Sequence, residues 1–207
     1  MRFRLRELHR AGACVTGLFL LAHFANHFAA LAGIEAHLRF MDALRVIYRQ
    51  PLIEPVLLIC VLAQVVSGSI IGWRRWRVAR RGIALLQWLS GVIVGSFLVI
   101  HVAAVMIGRW GFGLDTNFYF AAAGLQQMPF RLFFIPYYAL GIAALFAHLA
   151  CAWHGYAKRR LSAVPRSVGT ALILVSGLVG AGLIVAAFCG AWYPVVILPR
   201  YLATFGS

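Results

Sequence analysis

Long apolar runs alternate with short arginine-rich connections along the whole chain. A membrane-spanning helix needs about 20 mostly apolar residues, and five runs reach that length. They are residues 11–33, 51–73, 83–107, 131–156 and 168–195. The pattern predicts an all-α integral membrane protein: one transmembrane domain over residues 1–207, built as a bundle of five transmembrane helices.

Two of the connections are long enough to hold structure of their own. In residues 34–50, apolar side chains recur at helical spacing with charged side chains between them, which predicts an amphipathic helix in the membrane interface. The apolar positions are Leu38, Met41, Leu44 and Ile47. Residues 108–130 are rich in aromatic side chains, and we expect them to cover the outer end of the bundle. Pro194 is expected to end the fifth helix.

Composition agrees with a chain surrounded by lipid. The 207 residues are 63% hydrophobic and only 12% charged, whereas about 25% of the residues in a soluble domain are charged. The net charge of +14 would suggest nucleic-acid binding in a soluble protein, but here the basic residues sit between apolar runs. We therefore assign them to membrane topology and lipid headgroup contacts, and we expect no nucleic-acid partner.

The distribution of the basic residues predicts the orientation. Thirteen of the 19 lie in the N-terminal segment and in the second and fourth connections, which share one side of a five-helix bundle. They are Arg2, Arg4, Arg6, Arg10, Arg74, Arg75, Arg77, Arg80, Arg81, Lys158, Arg159, Arg160 and Arg166. Because cytoplasmic loops carry the excess of basic residues, we expect a bacterial inner-membrane protein with its N-terminus in the cytoplasm and its C-terminus outside.

Ionisable side chains inside membrane spans are costly, so each is a candidate functional residue. The candidates are His23, His27, His101, His148, His154 and Glu54, whereas His9 and His37 fall outside the predicted spans. With a rise of about 1.5 Å per residue, His23 lies near the middle of its helix and His101 about 9 Å from the middle of its helix toward the outer face. His148 lies about 7 Å from the middle toward the cytoplasm. His27 lies about 7 Å further out than His23. The sequence thus predicts an outer pair on the first and third helices and a single inner histidine on the fourth.

Two imidazoles that face each other across a helix bundle can hold a haem. Their neutral nitrogens bind the iron, and the macrocycle fills apolar space between the helices. No C-x-x-C-H motif is present in the sequence, so we expect haem b rather than covalently attached haem. Gly141 lies on the same helix face as His148, where it would let a flat ring or another backbone approach closely.

Helix-to-helix hydrogen bonding is the alternative role for a membrane histidine. For His27, which lies one turn beyond His23, packing or surface contact is favoured. For His154, which adjoins the basic cluster at residues 158–160, a position at the membrane interface is favoured. Glu54 is expected at the membrane interface, with proton handling as its alternative role.

The segments around these histidines resemble the single-chain, five-helix cytochrome b anchor of succinate:quinone and fumarate:quinone oxidoreductases. The segment LHRAGACVTGLFLLAHFANHFA resembles the first helix of that family, and His23 stands at the position of the family's haem ligand. The entry to the second helix resembles FMDAL. The segment QWLSGVIVGSFLVIHV resembles the family's third helix and reaches the ligand position at His101. The segment YYALGIAALFAH resembles its fourth helix and ends on the ligand position His148. The order and spacing of these segments, over most of the first four helices, carry the resemblance.

This resemblance implies a haem b ligated by His23 and His101, and quinone as substrate. It also implies iron–sulfur and flavoprotein subunits bound to the cytoplasmic face. For an inner haem, the family pairs the position of His148 with a ligand on the second helix. That position is Gln64 here, and glutamine is not among the usual axial ligands of haem. We therefore expect one low-spin haem b and leave open a second haem at His148 with Gln64 opposite.

Three functions remain open at this stage. The first is a membrane anchor and electron-transfer subunit of a succinate dehydrogenase/fumarate reductase-like complex. Dicarboxylate chemistry would then belong to its partners, because this chain has no flavin, dicarboxylate or iron–sulfur motif. The second is a stand-alone haem b membrane protein of the same fold. The third is a haem-free structural or transport protein, against which the clustered histidines argue.

Overall fold

A computed structural model describes residues 2–79 and 81–205, without the side chains of Arg2 and Phe3. Arg80, one of the predicted inner-side arginines, and residues 206–207 of the tail lie outside the described part. Helix dominates the described residues, and they contain no strand. Their α-helices are α1 (Arg2–Ala29), α2 (Ile34–Tyr48), α3 (Ile53–Arg75), α4 (Gly82–Met106), α5 (Phe118–Gln126), α6 (Arg131–Ala157), α7 (Ala163–Phe188) and α8 (Pro199–Leu202).

Five helices of the described ranges are long and apolar enough to cross a membrane: α1, α3, α4, α6 and α7. The predicted number of spans is therefore confirmed. We call the end of the bundle at which α1 begins the inner end and the opposite end the outer end. By topology, the connections from α3 to α4 and from α6 to α7 share the inner end with the start of α1.

The boundaries of two spans differ from the prediction. The first helix begins at Arg2 rather than at residue 11, because arginine is a good helix former and its charge does not interrupt the backbone hydrogen bonds. The helix that is long and apolar enough to cross a membrane therefore covers Arg4–Ala32 and includes His9. The fifth span is Ala163–Phe188 rather than residues 168–195, and Pro194 lies in the irregular segment beyond it.

The amphipathic connection forms α2, as predicted, but its buried face differs from the predicted one. The chain turns from α1 into α2 at Gly33, whose φ of +115° is unfavourable for a residue with a side chain. The buried residues of α2 are His37 and Met41, whereas Ile47 is 61% exposed. Arg45 lies one turn beyond Met41 on the same face of α2 and forms an ion pair with Asp115 at 2.7 Å. A charged residue therefore lies on the face where the sequence predicted apolar residues.

The aromatic connection covers the outer end of the bundle, as expected. It begins with a π-helical turn, Ile107–Gly111, and continues into α5. The ring of Phe118 on α5 is fully buried and stacks on Phe188 of α7, with 4.4 Å between the centroids. The C-terminal tail closes over this layer: the hydroxyl of Tyr201, a residue only 1% exposed, donates to the carbonyl of Asp115 over 3.1 Å.

The hydrophobic core lies at the outer end rather than in the middle of the bundle. Its buried members come from α5, α6, α7 and the short 3-10 turn that follows α1. They are Ala30, Phe118, Ala122, Leu125, Ile142, Ala181, Ile184, Ala187 and Phe188. Below this layer α1 packs on α3, α3 on α4, α4 on α6 and, most extensively, α6 on α7. Within the described residues, the backbone of α1 does not come close to that of α4 or α6, although the rings of Phe24 on α1 and Phe146 on α6 are 5.6 Å apart between centroids. The α1–α3 pair and the α4–α6 pair therefore meet along α3 and α4 and leave space between them on the other side.

Candidate functional site

The space between the helix pairs is a cavity of about 2510 Å³, which we call the central cavity. It extends from Arg6 and Arg159 at the inner end to Glu54 and Arg109 at the outer end. Ligand pockets usually measure about 300–1,000 Å³, and protein interiors are otherwise closely packed. The lining is mostly apolar, yet five of the seven histidines contribute to it: His9, His23, His27, His101 and His148. The central cavity therefore has room for a large group, or for more than one.

His23 and His101 face each other across the outer half of the central cavity. Their ring centroids are 6.1 Å apart, and the ring planes differ by 71°. A ligating imidazole nitrogen lies about 2 Å from its metal, so two imidazoles on opposite sides of one metal have centroids roughly 6 Å apart. The structure thus brings together the two residues that the sequence paired, at a separation that suits two axial ligands.

The imidazole of His101 is held by contacts with the rings of Phe97 and Tyr138. It lies parallel to the ring of Phe97, with 5.2 Å between centroids and 12° between planes. Gly141 of α6 makes room for Phe97, because a Cβ there would stand 2.2 Å from Cδ2 of that ring. The flat ring that approaches Gly141 is therefore that of Phe97. The described residues offer no hydrogen-bond partner to either nitrogen of His101, although a polar group at membrane depth is costly without one.

His27 supports His23 from the same helix. The Nε2 atoms of the two rings are 3.1 Å apart, a hydrogen bond in which one imidazole donates and the other accepts. The ring of His27 also packs on Phe188 at a centroid distance of 5.3 Å. In the described part of the chain, Nδ1 of His27 is buried and has no partner. The hydrogen bond engages Nε2 of His23, so Nδ1 is the nitrogen of His23 that is left for a metal. The contact of His27 with Phe188 is of the packing kind that the sequence favoured for it.

His37 is a site residue that the sequence analysis missed. The helix α2 folds it over the outer end, where it is 2% exposed and its Nε2 lies 3.1 Å from Nδ2 of Asn26. Burial, assisted by the charge of Arg45, lowers the pKa of His37 to about 4, so the ring is neutral at physiological pH. Its ring is 5.6 Å from that of His27. The only sequence signal was a histidine on the apolar side of an amphipathic helix.

The inner half of the central cavity contains His9 and His148. Nδ1 of His9 is 2.9 Å from Oγ of Ser67, and Nδ1 of His148 is 3.4 Å from Oγ of Ser90. Gln64, expected opposite His148, also lines the cavity, but its Nε2 donates to the backbone carbonyl of His9 over 2.5 Å. The amide is thus directed at the backbone of α1.

The two remaining candidates lie at the ends of the bundle. Nδ1 of His154 is 3.4 Å from Oγ1 of Thr170 on α7, and His154 is not part of the cavity wall. This contact joins α6 to α7, whereas the sequence favoured a position at the membrane interface for His154. Glu54 forms an ion pair with Arg109 at the outer end of the cavity, and both side chains are about one-fifth exposed. Neither residue is placed to ligate a group between His23 and His101.

The residues of the outer half fit a haem better than a bare metal ion. No group of three or more histidine, cysteine or acidic side chains is placed to hold a metal ion within the described residues. Haem brings most of its own ligands and needs only two from the protein. Gly17 and Gly95 line the cavity six residues before His23 and His101, respectively, and a Cβ at either position would meet no atom within 4 Å. There is therefore open space along the helix segments that precede His23 and His101.

Comparison with known proteins gave no match. No family model matches the chain, and no significant match was found among curated proteins or among solved structures. The function is therefore proposed from the residues and the geometry of this chain.

Proposed function

We propose that this protein is a haem b-binding membrane anchor and electron-transfer subunit that links cytoplasmic flavin and iron–sulfur subunits to membrane quinone, as in succinate dehydrogenase and fumarate reductase complexes. The observation that carries the proposal is the hollow bundle with His23 and His101 on opposite walls, 6.1 Å apart between ring centroids. An apolar cavity of this size has room for a large apolar group, which the closely packed interior of a protein does not offer elsewhere.

The outer haem would be held by His23 and His101 as axial ligands and would supply one-electron chemistry. Two imidazoles saturate both axial positions, which gives low-spin iron. His27 orients the ring of His23 through their shared hydrogen bond, and the stacked ring of Phe97 fixes the plane of His101. Partners of this kind set the orientation and the basicity of metal-binding histidines.

The inner end of the bundle offers a surface for soluble partner subunits. Arg74, Arg75 and Lys158 are exposed there, on the connections that follow α3 and α6. A positive surface favours association with an acidic protein face, and it also agrees with an N-terminus in the cytoplasm. The same charges are expected from membrane topology alone, so this surface supports the proposal without carrying it.

The haem spectrum of the purified protein tests the proposal. We expect a low-spin haem b spectrum from wild-type protein in a gentle detergent, and we expect His101→Ala to abolish the low-spin signal of the outer site. The matched control is His154→Ala, which removes a membrane histidine outside the cavity wall and should leave the spectrum intact. Wild-type protein that is folded and free of haem after expression with adequate haem supply would contradict the proposal.

Co-purification separates the anchor from a stand-alone haem protein. Replacing Arg74, Arg75 and Arg77 together with glutamate should release flavin-containing subunits from membranes, whereas Arg39→Glu at the opposite end should not. Labelling of the variant must show an unchanged orientation, since these charges also set topology.

The stand-alone haem b protein is the second candidate, and one contact favours it. In the family that the sequence resembles, the position of Gln64 holds a haem ligand. Here the amide of Gln64 donates to the backbone carbonyl of His9 instead. If wild-type protein purifies with haem but without flavin or iron–sulfur subunits, this second candidate replaces the first.

A further inference from the structure

We infer that the inner half of the central cavity binds an anionic phospholipid, with its phosphate among arginine side chains at the inner end and its acyl chains between α1 and α6. The inference goes beyond the proposed function. It concerns the half of the cavity that His23 and His101 do not reach, and it holds whether or not a haem occupies the outer half.

Arginine side chains from three parts of the chain line the cavity at its inner end, which we call the inner mouth. Two of them lie on α1, one ends α3, and two follow α6. They are Arg6, Arg10, Arg75, Arg159 and Arg160. All of these side chains are exposed, and none forms an ion pair within the described residues. The inner mouth therefore carries a concentrated positive charge.

The protein supplies no counter-charge to the inner mouth in the part of the chain that the structure describes. The acidic residue of the cavity wall there is Glu54, which lies at the outer end and pairs with Arg109. The remaining acidic residues of the sequence lie outside the cavity wall and are Glu7, Glu35, Asp42 and Asp115. A bound anion would supply the missing negative charge.

Membrane topology accounts for arginines at this end of the bundle but not for the direction of Arg10. This residue lies within the candidate span Arg4–Ala32, one turn after Arg6, and both side chains line the cavity. Like charges four residues apart on a helix repel each other, and a charged side chain within a span is costly without a partner. A guanidinium binds phosphate through two parallel hydrogen bonds. One phosphate between Arg6 and Arg10 would therefore replace their repulsion with attraction.

The inner mouth lies at the depth of lipid headgroups. The first candidate span has 29 residues, or about 44 Å of helix, whereas the hydrocarbon core of a bilayer is about 30 Å thick. Centred in the membrane, the span leaves about 7 Å outside the core at each end, and Arg10 lies about 9 Å after the start of the span. Tyr156 and Trp76 are part of the cavity wall at this end, and the guanidinium carbon of Arg160 lies 4.1 Å from the ring centroid of Tyr156. Tyrosine and tryptophan are enriched at the headgroup level, so a phosphate at the inner mouth would be level with those of the bilayer.

Behind the inner mouth the cavity is long enough for acyl chains. On α1, Arg10 precedes His23 by 13 residues, or about 20 Å, and the hydrocarbon region of one leaflet is about 15 Å deep. The histidines beside this stretch, His9 and His148, bind serines of neighbouring helices. The apolar wall of the same stretch includes Ala13, Leu20, Val65, Leu145 and Leu149. Acyl chains in this space would meet a mostly apolar surface.

The inner half of the cavity opens to the bilayer between α1 and α6. Within the described ranges, the backbones of these two helices do not come close to each other. The rings of Phe24 and Phe146 join the helices, but Phe24 lies one residue beyond His23 and leaves the stretch before it open. Leu149 of α6 lines the cavity and is still 48% exposed. The residues that α7 contributes to the wall lie near its outer end and are Ile184, Val185 and Phe188. A phospholipid can therefore enter from the membrane while its headgroup stays at the surface.

The apolar space behind the arginines favours a lipid over an acidic protein segment as the occupant. A soluble partner would meet exposed charges such as those of Arg74 and Lys158, neither of which lines the central cavity. It would leave the inner half of a cavity of about 2510 Å³ unfilled. A phospholipid matches both parts of the site, because its phosphate suits the arginines and its acyl chains suit the apolar wall. Basic pockets between transmembrane helices on the cytoplasmic side bind anionic headgroups in this way.

The content of tightly bound lipid tests the inference. We expect wild-type protein in a gentle detergent to retain anionic phospholipid after extensive washing, as measured by phosphorus content and native mass spectrometry. The double variant Arg6→Gln with Arg10→Gln should lose it. The matched control is Arg4→Gln with Lys158→Gln, which removes the same charge from exposed positions at the same end, outside the cavity wall. The control should retain the lipid.

Added lipid gives an independent measurement on the washed protein. Phosphatidylglycerol should raise the melting temperature of wild-type protein and of the control variant, because a ligand that binds only the folded state stabilises it. It should not raise the melting temperature of the variant that lacks Arg6 and Arg10. Phosphatidylcholine, whose headgroup has no net charge, should have a smaller effect on wild-type protein than phosphatidylglycerol.

A variant of unchanged charge separates binding inside the cavity from attraction at the surface. Leu149→Trp narrows the inner half of the cavity and should reduce the retained phospholipid. Leu140→Trp is its matched control, because Leu140 is exposed on the same helix outside the cavity wall, and it should retain the lipid. These two variants also decide the test if the loss of arginines disturbs membrane insertion, since they leave the topology charges in place.

The outcomes distinguish the inference from the proposed function. Wild-type protein without tightly bound anionic phospholipid, or an equal loss of lipid in the control for the arginines, overturns the inference. Full retention in Leu149→Trp would place the lipid on the outer surface of the bundle and also overturn it. Two haems per chain without phospholipid would overturn it as well, because haem propionates would then occupy the inner mouth. Wild-type protein that retains the phospholipid but contains no haem overturns only the proposed function.

Discussion

Replacing Gly141 with alanine tests how the outer histidine is positioned. A Cβ at this position would stand 2.2 Å from Cδ2 of Phe97. The ring of Phe97 lies parallel to the imidazole of His101, with 5.2 Å between their centroids. The added methyl group must push Phe97 away from α6, and the stacked imidazole must move with it or lose its support.

The expected cost follows from the size of that clash. Carbon atoms rest about 3.5–4.0 Å apart, so the ring has to move by more than about 1 Å. Overpacking of this kind costs about 1–3 kcal/mol. Alanine in a helix is favoured over glycine by about 0.5–1 kcal/mol, which offsets only part of that cost. We therefore expect Gly141→Ala to reduce stability by about 1–2 kcal/mol and to alter the spectrum of the outer site.

Thermal unfolding of the detergent-purified protein, followed together with the low-spin absorption, measures both effects. Gly182→Ala is the matched control, because Gly182 lies on an exposed face of α7 and a Cβ there meets no atom within 4 Å. It should be neutral or slightly stabilising. Adding Phe97→Leu to Gly141→Ala removes the clashing ring edge, so the two changes should be less harmful together than their separate effects predict.

Unchanged stability and an unchanged spectrum in Gly141→Ala would refute this reasoning. Such a result would mean that the ring of Phe97 is free to move without loss and does not fix the plane of His101. A loss of stability with an unchanged spectrum would keep the packing argument and reject the link between Phe97 and the ligand.

Three further predictions concern the outer end and the topology. The pKa of His37 is about 4 in the folded protein, against an ordinary value of 6.5, so the unfolded chain binds the proton more tightly. The contribution of neutral, buried His37 to stability is therefore present above pH 6.5 and is lost as the pH falls toward 4. In a plot of melting temperature against pH, His37→Gln should show a smaller decrease between pH 6.5 and 4 than wild type. Tyr201→Phe should lower stability by about 1 kcal/mol, because it leaves the carbonyl of Asp115 and Oδ1 of Asn117 without that donor. Cysteine placed at Arg77 should react only with membrane-permeant reagents in intact cells, and cysteine placed at Trp110 should react from outside.

Each of these predictions has a result that contradicts it. An equal pH dependence in wild type and in His37→Gln would mean that another group dominates acid unfolding. A melting temperature unaffected by Tyr201→Phe would show that the tail adds nothing to the outer layer. Labelling at Arg77 from the outside would reverse the predicted orientation.

The number of spans and the identity of the outer pair followed from the sequence. Five apolar runs of membrane length are a local property of the chain, since each helix satisfies its own backbone hydrogen bonds. A fixed rise per residue turns sequence position into depth, which predicted an outer pair on the first and third helices. The resemblance to the cytochrome b family then selected His23 rather than His27 as the partner of His101. The start of α1 was harder to predict, because arginine residues end an apolar run without ending a helix.

The contacts of the inner histidines were decided by the tertiary structure. Spacing along the sequence does not show that His9 contacts Ser67 or that His148 contacts Ser90. The sequence also suggested that Gln64 faces His148, whereas its amide reaches the backbone of α1. Which side chains meet depends on how α1 packs on α3 and α4 on α6, and on the gap left between these pairs. Periodicity along one helix reports which residues share a face, but only packing between helices determines what that face meets.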